Sequence, residues 1–172
     1  TAREGIVASR QIFDTLVERN LATGQYEPSP ATAWRRVDDR PWEFALREGV
    51  TFHNGDPFSA DDVVFTLRHY AKPESGARSA NWIDWIGRVE KVGSHKVRIV
   101  SKAPFPAALE FVSGSLSIFP KAYFEKVGQQ AFGKHPVGTG PFKLASARGN
   151  EYVLARNAAY FGGAKGAAKL ER

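Results

Sequence analysis

The stretch from Trp42 to Tyr70, WEFALREGVTFHNGDPFSADDVVFTLRHY, constrains the fold more than any other part of the chain. Trp42, Phe44 and Leu46 alternate with Glu43, Ala45 and Arg47, the period of two that marks a half-buried strand. Val50 and Phe52 resume the alternation after Gly49. Asn54-Gly55 is a strong turn signal, because both residues tolerate positive φ. Ser59 is placed as a helix N-cap, and Asp62 stands where a carboxylate reaches back to the cap amide. Asp61 and Asp62 suit the positive end of the helix dipole. Val63, Val64, Leu67, Tyr70 and Ala71 share one helical face, and Pro73 stops the helix. The sequence therefore predicts strand, turn and capped helix in that order.

The remaining segments are read in the same way. The spacing of Ile6, Phe13, Leu16 and Val17 predicts a helix over 3–20. The proline-rich segment 26–33 reads as a loop. Trp82 to Ile86 is expected to form a short helix. Val89–Val92 and Val97–Val100 read as a hairpin around Gly93-Ser94-His95-Lys96. Pro106 suits the first turn of a helix running to about Val112, broken by Ser113-Gly114-Ser115. Pro120 opens another helix, ended by Gly128, and 142–144 with 152–156 form a last hairpin. Antiparallel strands with scattered helices make the expected class α+β.

Composition closes off several function classes. The chain has 172 residues, 42% of them hydrophobic, including 12 Phe, enough for a substantial core. No run approaches the roughly 18 apolar residues of a membrane helix, and no secretory leader is evident at the start. With no Cys there is no disulfide, thiol catalysis or Cys-ligated zinc. The net charge of +6 could serve nucleic acid or acidic lipid. The positives are dispersed, however, and Arg35-Arg36 is followed at once by Asp38-Asp39.

No arrangement of side chains spells out an enzyme. His53, His69, His95 and His135 form no ligand pair with metal spacing. Asp61 and Asp62 point about 100° apart on a helix, and capping accounts for both. Gly138-Thr139-Gly140-Pro141 lacks the P-loop pattern, and Pro141 removes an amide that a phosphate cradle would use. It reads as a tight turn, with a ligand contact from Thr139 as the alternative. Ser113-Gly114-Ser115-Leu116 reads as a linker between helices. Trp82 and Trp85 share a helical face and read as core. Trp34 and Trp42 read as core.

Three segments carry a resemblance. Residues 42–70 come first; then Pro136-Val137-Gly138-Thr139-Gly140-Pro141-Phe142, similar to a P-x-G-T-G-P-[FW] motif; then Asn157-Ala158-Ala159-Tyr160-Phe161-Gly162, similar to N-x-x-Y-[WF]-G. A weaker opening runs over Ile12–Val17 and Tyr26–Trp34. In this order they resemble the peptide- and nickel-type extracellular solute-binding proteins of ABC importers, family 5. The resemblance implies part of a two-lobed, type II periplasmic-binding-protein clamshell, mainly the first lobe with its accessory α/β subdomain. It places a main-lobe segment at 1–25, the accessory subdomain at 26–134 and a return to the main lobe at 135–172. The family's opening strand would precede Thr1 and the second lobe would follow Arg172. The implied function is an extracytoplasmic receptor, periplasmic and monomeric, without catalysis or cofactor. It would bind a short peptide or similar solute and deliver it to the transmembrane subunits of an ABC permease, with no nucleic-acid partner. The implied ligand-facing residues are Trp82, Ser113, Gly114, Ser115, Leu116 and Thr139. Two other readings stand beside it. A small α+β hydrolase or transferase would need a clustered nucleophile and base. A basic interaction module would show binding that weakens steeply with salt.

Overall fold

The computed structural model describes residues 8–72, 75, 80–114, 116–149 and 151–162. Ser115, one of the expected ligand-facing residues, lies outside them, as do Ile6 and Pro73. The described residues fall into two compact units. One takes those up to Asp14, Gly49–Phe58 and those from Ile118 onward. The other takes Thr15–Glu48 and Ser59–Ser117. This division runs at other points than the expected 25/26 and 134/135. The segments 49–58 and 118–134 fall with the terminal unit, and 15–25 with the other.

The unit formed by Thr15–Glu48 and Ser59–Ser117 is built on a four-stranded antiparallel sheet of order β3-β4-β6-β5. Its strands are β3 (Ala31–Arg36), β4 (Pro41–Leu46), β5 (Ile86–Gly93) and β6 (Lys96–Ser101). The alternation expected for Trp42–Arg47 places Phe44 and Leu46 in the core. Helix α1 (Ala60–Tyr70) packs on β5 and β6 and buries Val63, Thr66 and Leu67. Its start carries the full capping box. The Asp61 amide donates to Ser59 Oγ (3.2 Å), and the Ser59 amide donates to Asp62 Oδ2 (2.8 Å). The short helix α2 (Ala80–Ile83) precedes β5, and α3 (Ala108–Gly114) follows β6.

Two expectations over 3–36 are corrected. Helix is confined to 8–12 among the described residues of the expected 3–20. Val17–Arg19 instead forms strand β1, paired antiparallel with β2 (Tyr26–Pro28). The turn between them is closed by Asn20, whose Oδ1 accepts from the amides of Ala22 (2.9 Å) and Thr23 (3.1 Å). An Asx-type turn beside β-branched Thr15 and Val17 outweighs a weak helical spacing. Segment 26–33 is not a loop either. Pro28 and Pro30 sit at a strand end and between strands, where a missing amide is tolerated.

In the other unit, the His53–Gly55 turn has Gly55 at φ +90° and is closed by the Phe52 amide donating to Asp56 O (2.8 Å). Helix α4 (Lys121–Lys134) does not end at Gly128, which breaks it with φ +78° and ψ 165° before helical residues resume. Phe13, Phe119, Phe124 and Phe132 cluster beside it, with ring centroids 4.9–5.9 Å apart. Strands β7 (Phe142–Arg148) and β8 (Glu151–Arg156) form the expected hairpin, longer by several residues on its first strand.

Candidate functional site

The segments that carry the resemblance meet through hydrogen bonds within the unit that holds Asp14, 49–58 and 118–162. Gly138 and Gly140 pass so close to the backbone of Ile12 that neither has room for a side chain. A Cβ on Gly138 would stand 2.1 Å from Ile12 O, and one on Gly140 would stand 2.5 Å from Gln11 O. The Gly140 amide donates to Ile12 O (2.9 Å). Both ring nitrogens of His53 bind this turn: Nδ1 accepts from the Gly138 amide (3.3 Å), and Nε2 donates to Gly140 O (3.0 Å). That pairing fixes the neutral tautomer with the proton on Nε2. Burial pushes the His53 pKa below its ordinary value, and the nearby Lys143 ammonium pushes the same way against the bond to Gly140. Asn157 donates from Nδ2 to Gly140 O (3.0 Å) and from its amide to Pro141 O (2.8 Å). Thr139 Oγ1 donates to Asp14 Oδ2 (2.8 Å), and Tyr160 Oη donates to Asp14 Oδ1 (3.1 Å).

This node is a framework. The Gly138 and Gly140 amides are spent inside the protein and form no phosphate cradle. Thr139 is 1% exposed and its hydroxyl is committed to Asp14, so what it could offer a ligand is backbone. His53, Asp14, Asn157 and Tyr160 all lie in the segments that carry the resemblance, but the sequence assigns none of them a place in such a node. The separations of 125 residues between Asp14 and Thr139 and 146 between Asp14 and Tyr160 leave no local signal.

Four of the remaining expected residues belong to the other unit. Trp82, in α2, is 37% exposed and packs against Phe111 of α3 (centroids 5.0 Å). Its indole also lies over Gly114 at the end of α3, where a Cβ would meet Trp82 Cζ3 at 3.2 Å. The row continues from Phe111 to Phe105 (5.2 Å) and on to Trp85, stacked on Phe105 at 4.9 Å. Trp85 is core, at 8% exposure, and its Nε1 donates to Trp82 O (2.9 Å). Ser113 turns its hydroxyl back to Glu110 O (3.1 Å) and its carbonyl accepts from Thr15 Oγ1 (3.3 Å). Leu116 is 1% exposed, so its side chain is core. The structure thus brings Trp82 and Gly114 together at the exposed end of a mostly half-buried aromatic row. Phe111, three residues before Gly114, belongs to that row, and helical spacing could have found it. Trp34 and Trp42, expected as core, are only partly buried.

The main charge cluster lies elsewhere, across the sheet. Arg35, Glu43, Arg98 and Glu90 stand opposite one another on neighbouring strands. Glu43 binds Arg35 and Arg98, each at 2.6 Å, and these contacts hold its pKa down at about 2, Arg98 contributing most. Beside α3, Glu110 accepts from Arg19 (2.7 Å) and from Tyr26 Oη (2.9 Å). Among the described residues no group of three or more His, Asp or Glu side chains is arranged to hold a metal ion.

Comparison with solved structures gives the class first. The chain matches a periplasmic binding protein, MoaA of Agrobacterium tumefaciens R10 in complex with mannopinic acid, with a TM-score of 0.81 and 32% identity. The match covers 94% of this chain and 34% of that one. It matches DppA of Helicobacter pylori in complex with the peptide STSA with a TM-score of 0.78 and 31% identity, over 91% of this chain and 35% of that one. Such neighbours are two-lobed periplasmic binding proteins, and the chain is part of their first lobe. The sequence model of bacterial extracellular solute-binding proteins, family 5 Middle, matches residues 25–172, and the chain belongs to that family. A curated relative, a probable di/tripeptide-binding protein of Pseudomonas aeruginosa, is 32% identical over 88% of this chain. The chain spans 34% of that relative's length and 25% of the uncharacterized Bacillus subtilis protein YhjP.

Proposed function

We propose that the chain is the first-lobe portion of an extracytoplasmic receptor that captures a short peptide or similar solute and delivers it to an ABC permease. The family match over residues 25–172 carries this reading. The exposed Trp82 end of the aromatic row supports it, because an aromatic face on a scaffold of this kind buries apolar ligand surface with little entropy to lose. Trp82, Ser113 and Gly114 face the ligand by side chain or backbone, and Leu116 by backbone alone. Positions 113, 114 and 116 carry no charge, which favours a ligand held by shape and stacking over a small polyanion. The mechanism is a population shift toward a closed state through differential affinity, without covalent chemistry. The receptor works as a monomer in the periplasm. The accessory subdomain lies within residues 26–134, with 49–58 and 118–134 counted among the segments of the main-lobe unit.

The test is native mass spectrometry of the protein extended to the length of its relatives, purified without denaturation. The receptor reading expects a small co-purified mass, or a mass shift on adding di- and tripeptides, opines or metal chelates. It also expects Trp82→Ala to weaken that binding. An extended protein that binds none of these ligands refutes it.

A further inference from the structure

We propose that Gly114 is a positioning residue that seats Trp82 and thereby sets the ligand size the receptor admits. The inference rests on the reading of Trp82 as a ligand-facing wall. Gly114 ends α3, and the missing Cβ is the space into which the indole leans, with Cζ3 3.2 Å from where that Cβ would be. Real Cβ atoms rarely come so close, so any side chain at 114 moves the ring by a few tenths of an ångström or more. Phe111, three residues earlier on the same helix, also packs on the indole at 5.0 Å, and the Trp82 carbonyl accepts from Trp85 Nε1 at 2.9 Å. The backbone of Trp82 is therefore anchored while the residue remains 37% exposed. The ring yields by swinging outward, toward the side a ligand would occupy. Bulk at 114 then subtracts from the space beside the indole, and glycine leaves that space at its maximum.

The experiment compares the extended protein with its Gly114→Ala, Trp82→Phe and doubly substituted forms. All carry 5-fluorotryptophan for 19F NMR, and Trp82 is assigned by its loss in Trp82→Phe. Without ligand, Gly114→Ala is expected to move the Trp82 resonance and leave those of Trp34 and Trp42 in place. Across tripeptides bearing Ala, Leu or Trp at one position, affinity is expected to fall most for the largest, by about five- to tenfold, the lower range of an overpacked contact. Phenylalanine lacks the benzo ring that carries Cζ3, so the effect of Gly114→Ala should vanish in the Trp82→Phe background. An unmoved Trp82 resonance overturns the proposal. So does an affinity loss that is equal with Phe at 82, or equal for all three peptides. A moved resonance in a protein whose parent form binds no peptide, opine or chelate refutes the receptor reading. It removes size selection with it and leaves only the contact.

Discussion

Substituting Gly138 with alanine tests the framework node most sharply. A Cβ at this position would lie 2.1 Å from Ile12 O, 2.7 Å from Phe13 Cδ1 and 2.9 Å from Ile12 C. Non-bonded heavy atoms rest near 3.5 Å, so the turn must retreat by roughly 1 Å or more. Two of the three neighbours are backbone, and Phe13 is held by Phe119 and Phe132. The retreat therefore falls on the turn. It strains the Gly138 amide bond to His53 Nδ1 (3.3 Å), the His53 amide bond to Gly138 O (2.9 Å) and the Gly140 amide bond to Ile12 O (2.9 Å). An overpacked contact costs about 1–3 kcal/mol, and each lost bond adds about 1 kcal/mol. Allowing for partial loss, Gly138→Ala should destabilise the protein by about 3–5 kcal/mol. Gly133 is the internal control. It sits at the exposed end of α4, nothing lies within 4 Å of its added Cβ, and its φ is not positive. There alanine should be neutral or stabilising by up to about 1 kcal/mol. Urea titration read by circular dichroism gives both values. A Gly138→Ala midpoint within about 1 kcal/mol of the parent, or a Gly133→Ala loss of similar size, would refute the argument.

Three further outcomes follow from named contacts. Protonating His53 on Nδ1 removes the acceptor for the Gly138 amide, and its folded pKa lies below the ordinary value near 6.5. The unfolded chain then binds the proton more readily, so this contribution is full above about pH 6.5 and is lost as pH falls through the folded pKa. His53→Gln should flatten the fall in unfolding midpoint between pH 8 and pH 5, and an unchanged slope would count against the tautomer assigned here. Ser59→Ala should cost about 0.5–2 kcal/mol through loss of the cap, read as a lower urea midpoint, and no change would mean the capping box is idle. Glu43, held at about 2 by Arg98 and Arg35, is depressed, so its pairing should persist as pH falls past 4.5 and fade only toward pH 2. The midpoint difference between the parent and Glu43→Gln should accordingly stay level from pH 8 to about pH 5 and then shrink steadily as pH falls toward 2. A difference that does not change between pH 8 and pH 2 would show the pairing to be absent in solution.

The parts of this fold legible in the sequence are those decided within about ten residues. The Phe44 alternation, the Ser59–Asp62 cap and the 89–100 hairpin each rest on local chemistry, and each is present. Residues 15–36 were read wrongly because their outcome is decided by pairing. A few apolar positions at near-helical spacing lose to a ladder between β1 and β2 that Asn20 closes. The prolines there mark strand limits instead of a loop. Segment 121–134 failed for the opposite reason: Gly128 adopts a backbone only glycine holds cheaply, yet helix resumes beyond it, where Phe132 reaches the aromatic cluster.

The same division explains why the family was readable while the ligand is not. The quoted motifs supply His53, Gly138, Thr139, Gly140, Asn157 and Tyr160. Each is bound by close approach or hydrogen bonds to one node with Asp14 and Ile12. A residue with so many partners tolerates few replacements, so its letter identifies the scaffold. Trp82 and Gly114 are constrained mainly by each other and by Phe111, and a different pair could fill the same space. Sites with few internal partners are where one scaffold can vary its ligand, and their letters identify nothing until a ligand is bound against them. On the receptor reading proposed above, specificity is therefore to be sought among side chains, such as the indole of Trp82, that the fold itself does not require.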